Sequence, residues 1–137
     1  MTEIREADAG SVRILVVDDD LYARQAMMER LRSRGYQVKG AEDGLQALHH
    51  LQRERFNLVI TDMQMPRMDG VALLREICRH DYAPVIVQTT LLDSYLQEVL
   101  RRTGAAGVLM KGESMTELMR LVETLCRTTE RSSPQCG

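Results

Sequence analysis

Residues 12–20 read Val-Arg-Ile-Leu-Val-Val-Asp-Asp-Asp, a β-branched apolar run that stops abruptly at three acids. A run of this length and makeup suits a strand buried on both faces, as strands of a parallel sheet are. Four more short runs follow at Tyr36 to Ala41, Leu58 to Thr61, Val85 to Thr89 and Val108 to Met110, beside the first at Val12 to Val17. Longer amphipathic stretches separate them. The chain therefore reads as five strand–helix units, a parallel sheet with helices on both faces.

The helices carry punctuation as well as period. Ser114-Met115-Thr116-Glu117 is a capping box opening the fifth helix, and Asp43 with Gln46 is a similar signal for the second. Gly35 and Gly104 stand where glycines end the first and fourth helices. Spacings of three, four and seven turn Ala23, Met27 and Leu31 inward from the first helix and Val71, Leu74 and Cys78 from the third. The fifth offers Leu118, Leu121, Val122 and Leu125. A second stripe on that helix, Met115, Met119, Val122 and Cys126, widens its apolar face. It reads either as a partner surface or as deeper packing with Met filling gaps.

At 137 residues, with 44% apolar and 28% charged residues, the chain has the size and balance of one ordinary domain. Its formal net charge of −2 argues neither for nucleic acid nor for an anionic membrane. Three cysteines, Cys78, Cys126 and Cys136, lack any metal or redox spacing, which suggests reduced thiols in a cytosol. No apolar run approaches a membrane span or a leader. Residues 1–11 and 128–137 are polar and read as tails around a domain of residues 12–127.

In an open α/β sheet, ligands bind beyond the carboxyl ends of the strands. The first run ends in Asp18, Asp19 and Asp20 and the third ends at Asp62, so four carboxylates share one edge if those strands are neighbours. Like charges so close repel unless they hold a cation or share a proton. Mg²⁺ suits such a site, because it takes one or two carboxylates and keeps positions for water and phosphate oxygens. For Asp20, a helix cap explains the acid equally well. Thr89 and Lys111 end two further strands, where a hydroxyl and an ammonium would complete an electrostatic cradle for a phosphoryl group. Each taken singly is an ordinary strand-end residue. His49, His50 and His80 have no metal-type spacing and suit surface or cap roles.

Four segments, ILVVDDD (14–20), TDMQMPRMDG (61–70), VIVQTT (85–90) and GAAGVLMKG (104–112), resemble the motif set of response-regulator receiver domains. The resemblance covers about residues 12–127. It implies a flavodoxin-like, doubly wound five-stranded parallel sheet of order 2-1-3-4-5 with five helices, a three-layer α/β/α sandwich. It implies a phosphorylatable signalling switch rather than an ordinary enzyme, with Asp62 as the phosphoacceptor. Asp18, Asp19, Asp62 and the backbone carbonyl of Gln64 would hold Mg²⁺. Lys111 would pair with the phosphoryl group, and the Thr89 hydroxyl would turn toward it. The donor would be a sensor histidine kinase or a histidine phosphotransfer protein, in the cytoplasm. The resemblance also implies phosphorylation-dependent pairing of two copies through the fourth helix, fifth strand and fifth helix, with no direct nucleic-acid or membrane contact. Pro66 and Asp69-Gly70 would shape the turn beside the acceptor.

Four positions depart from the commonest pattern. Val108 replaces the usual aromatic, Gly112 follows the lysine where a proline is common, Thr90 stands in place of a small residue, and Gln64 lies two after the acceptor. All four bear on switching or turnover rather than on phosphate capture. A pseudo-receiver that docks a partner without phosphorylation is the competing reading, and the intact acids, Thr89 and Lys111 speak against it. A dehalogenase-like phosphatase would want an acid where Gln64 stands. A flavin carrier would want a hydroxyl- and glycine-rich loop where the three aspartates stand.

Overall fold

The β-branched and leucine-rich runs at 14–17, 58–60 and 85–87 offer no polar side chain to water, so these strands must be covered above and below. A computed structural model describes residues 12–65, 67–90, 93–112 and 115–131, the last four of these through their backbone alone. The strands are β1 (Arg13–Val17), β2 (Gln37–Ala41), β3 (Leu58–Asp62), β4 (Val85–Thr89) and β5 (Gly107–Met110). All pair in parallel, in the order β2-β1-β3-β4-β5. The helices are α1 (Leu21–Arg32), α2 (Gly44–Arg53), α3 (Gly70–His80), α4 (Ser94–Thr103) and α5 (Met115–Arg131). This is the expected flavodoxin-like order, with strand ends within a residue of their expected places.

The chain runs from β1 outward to β2, then returns to build β3, β4 and β5 on the other side. Right-handed crossovers therefore send the helices to opposite faces. Period-two alternation divides the sheet between them. Leu15, Val17, Val59, Val85 and Val87 pack with Ala47 and Leu51 of α2, Leu73, Leu74 and Ile77 of α3, and Leu100 of α4. Ile14, Val16, Leu58, Ile60 and Ile86 pack with Met27 and Leu31 of α1 and Leu118, Met119, Val122 and Cys126 of α5. Each fully buried Leu or Ile here stabilises the fold by roughly 1.5–3 kcal/mol relative to exposure.

Two helices sit differently from expectation. In α3 the buried residues are Leu73, Leu74 and Ile77, while Val71 and Cys78 lie half-buried on the flanks. The apolar stripe of α3 is wider than one row, and spacing alone does not say which row points at the sheet. In α5, Met119 and Cys126 are each only 3% exposed, whereas Leu121 and Leu125 are half-buried. Most of the second stripe is thus core rather than partner surface, with Met filling the gap beside β1 and β3 as its flexible side chain allows. Helix α5 also runs on to Arg131, into the segment expected to be a tail. In α1, Met27 and Leu31 are buried as expected and Ala23 is half-buried.

Aspartates open four helices. Asp20 accepts from the Tyr22 amide at 3.1 Å, Asp43 from Gln46 at 2.8 Å, Asp69 from Ala72 at 2.9 Å and Asp93 from Leu96 at 2.8 Å. Each such cap is worth about 1 kcal/mol. The Gln46 side chain completes the second of them by accepting from the Glu42 amide at 2.8 Å. Ser114, the expected cap of α5, lies outside the described residues, as do the 1–11 segment, Pro66 and Cys136. Gly35 and Gly104 follow their helices with φ of 95° and 126°, a backbone region in which a side chain is strained.

Candidate functional site

Strand register brings the site together. Val17 of β1 lies opposite Thr61 of β3, so the next residues along each strand, Asp18 and Asp62, emerge side by side. Asp62 lies opposite Gln88 on β4, and Thr89 is the next residue; Thr89 lies opposite Met110 on β5, and Lys111 is the next residue. The four strand ends thus step round one crevice, at the point where the strand order reverses.

One carboxylate oxygen from each of Asp18, Asp19 and Asp62 lies within 4.8 Å of the others. Asp18 and Asp62 are buried and Asp19 is exposed. Lys111 Nζ bridges the two buried acids, 2.9 Å from Asp18 Oδ2 and 3.1 Å from Asp62 Oδ2. Burial opposes charge on that ammonium, but the hydrogen bonds to Asp18 and Asp62 outweigh it, and its pKa is raised above the ordinary lysine range. With all three acids ionised, one ammonium leaves two negative charges, which matches a divalent cation. The donors are all hard oxygens, which suits Mg²⁺.

The backbone holds these groups in place. Asp18 Oδ1 accepts from the Asp20 amide at 2.9 Å, and Arg24 Nη1 donates to the Asp18 carbonyl at 2.7 Å. Lys111 donates its amide to the Thr89 carbonyl at 2.7 Å, tying the last two strand ends. Behind Asp62, the Gly70 amide donates to the Met63 carbonyl at 2.7 Å. A Cβ on Gly70 would lie 2.7 Å from both the Asp62 carbonyl oxygen and Met63 Cα. Gly70 is needed for close approach rather than for flexibility.

Asp20 is a helix cap, and no carboxylate of it joins the cluster among the described residues. Thr89 is buried at the rim of the crevice. Val108 packs half-buried on the α2–α4 face, opposite Val87, which by alternation is also the face of Thr89. Thr90 and Gly112 are exposed. The histidines lie elsewhere: His49 beside Arg53, His50 within 3.9 Å of Glu54, and His80 stacked on Tyr82. Sequence reasoning missed one pair, Asp43 and Arg67, in which a guanidinium from the β3–α3 turn meets the buried cap of α2. Between α1 and α5, beside Asp18 and Lys111, a groove of about 320 Å³ opens, lined by Ala23, Met27, Leu109 and Leu118.

A doubly wound sheet with a lysine-bridged acid cluster at its switch point defines a receiver-type signalling module. The response regulator receiver domain model matches residues 14–123, and the chain belongs to that family of two-component systems. Response regulator MprA of Mycobacterium sp. (strain KMS) is 37% identical over 128 residues, 92% of this chain and 54% of that protein. Transcriptional regulatory protein PdtaR of Mycobacterium tuberculosis is 35% identical over 120 residues, covering 86% and 58%. The chain spans about half the length of the curated relatives it matches.

Among solved structures, the receiver domain of a Francisella response regulator superposes with a TM-score of 0.83 at 27% identity, covering 87% of this chain and 99% of that one. TrrA of Thermotoga maritima, in complex with Mg²⁺-BeF, gives a TM-score of 0.75 at 32% identity, covering 83% and 98%. Among the described residues, no helix is long and apolar enough to cross a membrane.

Proposed function

We propose that this chain is a Mg²⁺-dependent phosphoacceptor of a two-component pathway, esterified on Asp62. The observation that carries the reading is the Lys111 bridge between Asp18 and Asp62 inside a three-carboxylate cluster. Asp18, Asp19, Asp62 and the Gln64 backbone carbonyl are the groups that would hold the cation. When bound, it supplies positive charge against the oxygens of an incoming phosphoryl group.

The donor is a phosphohistidine of a sensor kinase or a histidine phosphotransfer protein. The P–N bond breaks and a bond from an Asp62 carboxylate oxygen to phosphorus forms, with the electron pair going to the leaving imidazole nitrogen, which takes a proton from solvent. A carboxylate is a weak nucleophile, so positioning and charge neutralisation do most of the work. Lys111, which bridges Asp18 and Asp62, would neutralise a phosphoryl oxygen after transfer, and the Thr89 hydroxyl would meet another. Exposed Leu21 and Tyr22 at the start of α1 and the adjoining groove suit a docking donor.

Esterification replaces one carboxylate charge by a dianion, so Lys111 and Thr89 gain charge-assisted contacts present only in the phosphorylated state. Moving a two-state equilibrium from 1:99 to 99:1 takes about 5.5 kcal/mol, a sum that two or three such contacts supply. The readout is control of a partner or output in the cytoplasm, through self-association by α4, β5 and α5. Tyr95, 80% exposed on α4, is available to that surface. An unchanged sedimentation coefficient after phosphorylation would count against the self-association.

The test of the central reading is intact-mass measurement after incubation with Mg²⁺ and acetyl phosphate. One phosphoryl group should appear on the wild-type chain and none on Asp62→Ala. Labelling that survives in the variant would remove Asp62 from the role.

A further inference from the structure

The turn between β3 and α3 carries Gln64, and its far end is held by the start of α2. Arg67 Nε donates to Asp43 Oδ2 at 3.0 Å, and Arg67 Nη2 donates to the same oxygen. Asp43 is 3% exposed, and its other oxygen is engaged by the Gln46 amide, so the carboxylate has no freedom to turn away. The next residues of the two segments also meet. A Cβ on Gly44 would lie 2.8 Å from Met68 Cβ and 2.9 Å from the Met68 carbonyl oxygen, so only glycine admits the turn this close.

Arg67 itself has φ of 70°, a left-handed backbone that an arginine does not prefer. Such a conformation persists only where surrounding contacts fix it, and the pairs 43–67 and 44–68 are those contacts. Because β2 and β3 flank β1 in the sheet, they also join the two neighbours of the strand that ends in Asp18 and Asp19.

We infer that Asp43 and Arg67 are positioning residues for phosphoryl transfer: their ion pair holds the turn that carries Gln64, whose backbone carbonyl would help hold the cation. The inference rests on the proposed function above and extends it to two residues outside the acid cluster. A buried aspartate needs only one oxygen to cap a helix, and the second oxygen here is committed to a residue of the acceptor's own turn.

The experiment compares the full chain with D43N, R67Q and the D43N/R67Q double variant. In D43N the amide side chain keeps an oxygen for the Gln46 backbone N–H but turns a donor toward Arg67, so the cap survives and the pair does not. MgCl₂ titration by calorimetry, melting in EDTA and labelling by acetyl phosphate are read in parallel. Each single variant should weaken Mg²⁺ binding three- to tenfold and slow labelling, with R67Q melting in EDTA within about two degrees of wild type. The double variant should be no weaker than the singles, because one interaction is lost in all three. Mg²⁺ affinity within twofold of wild type in R67Q, or additive losses in the double variant, would overturn the inference while leaving Asp62 its role. A wild-type chain that neither binds Mg²⁺ nor accepts a phosphoryl group would instead overturn the parent reading, and this inference with it. If D43N fails to fold, R67Q decides alone, since the Arg67 side chain is largely exposed.

Discussion

The Lys111 ammonium donates a 3.1 Å hydrogen bond to Asp62 Oδ2, across 49 positions of chain and three strands of the sheet. It neutralises a buried carboxylate that would otherwise face two others. Lys111→Met should therefore destabilise the Mg²⁺-free protein by about 1–2 kcal/mol, between the values for an exposed pair and a fully buried one, because the lysine is a quarter exposed. Thermal melting should fall by several degrees in EDTA and recover in part with added Mg²⁺. A melting temperature equal to wild type in EDTA would show that the bridge is not a stabilising contact.

Gly70 lies against the carbonyl of Asp62, so Gly70→Ala forces backbone to move. A cost of about 1–3 kcal/mol in urea denaturation is expected. Displacing Asp62 by a fraction of an ångström should also slow labelling by acetyl phosphate, if Asp62 takes the phosphoryl group as proposed, by up to about a hundredfold. Wild-type labelling in this variant would mean that the turn absorbs a methyl group without moving Asp62.

Met119 belongs to the core between α5 and the sheet. Met119→Ala should cost about 2–5 kcal/mol, as other buried truncations do, and leave sedimentation of the folded protein unchanged. Normal stability with altered self-association would return Met119 to a partner surface.

Asp43 supplies a pH dependence of defined sign. Burial works to raise its pKa, but the Gln46 amide and the Arg67 guanidinium outweigh it and hold the carboxyl below the ordinary 3.8. A folded pKa below the unfolded one gives stability that is complete above about pH 4 and is lost as pH falls through the folded value. The melting-temperature gap between wild type and D43N should be constant from neutral pH to about 5 and shrink below about 4. A gap that widens in acid would reverse the assigned direction.

The inner strands were legible because burial on both faces selects apolar residues, and ILVV or LVI says so within four positions. Asp62 and Asp18 were legible jointly, since two neighbouring strands that both end in acids must resolve their mutual repulsion, and a bound cation does so most simply. The facing row of α3 was not, because Val71, Leu73, Leu74, Ile77 and Cys78 form a stripe broad enough to be rotated either way. Nor was the Arg67–Asp43 pair. Its partners are 24 residues apart, and the left-handed turn that aims the arginine comes from tertiary packing rather than from any local propensity.

Because all five strands point the same way, the four aspartate caps and the acid cluster collect at one end of the molecule. The last turns of the helices send Arg30, Arg32, Arg53, Arg79, Arg101 and Arg102 to the other. Charge is consequently distributed unevenly along the strands although the net charge is only −2, an asymmetry tempered where Arg79 and Arg102 pair with Glu76 and Glu98. A field of that sense favours small cations over anions at the crevice. That preference follows from the winding of the chain, and added salt should blunt it.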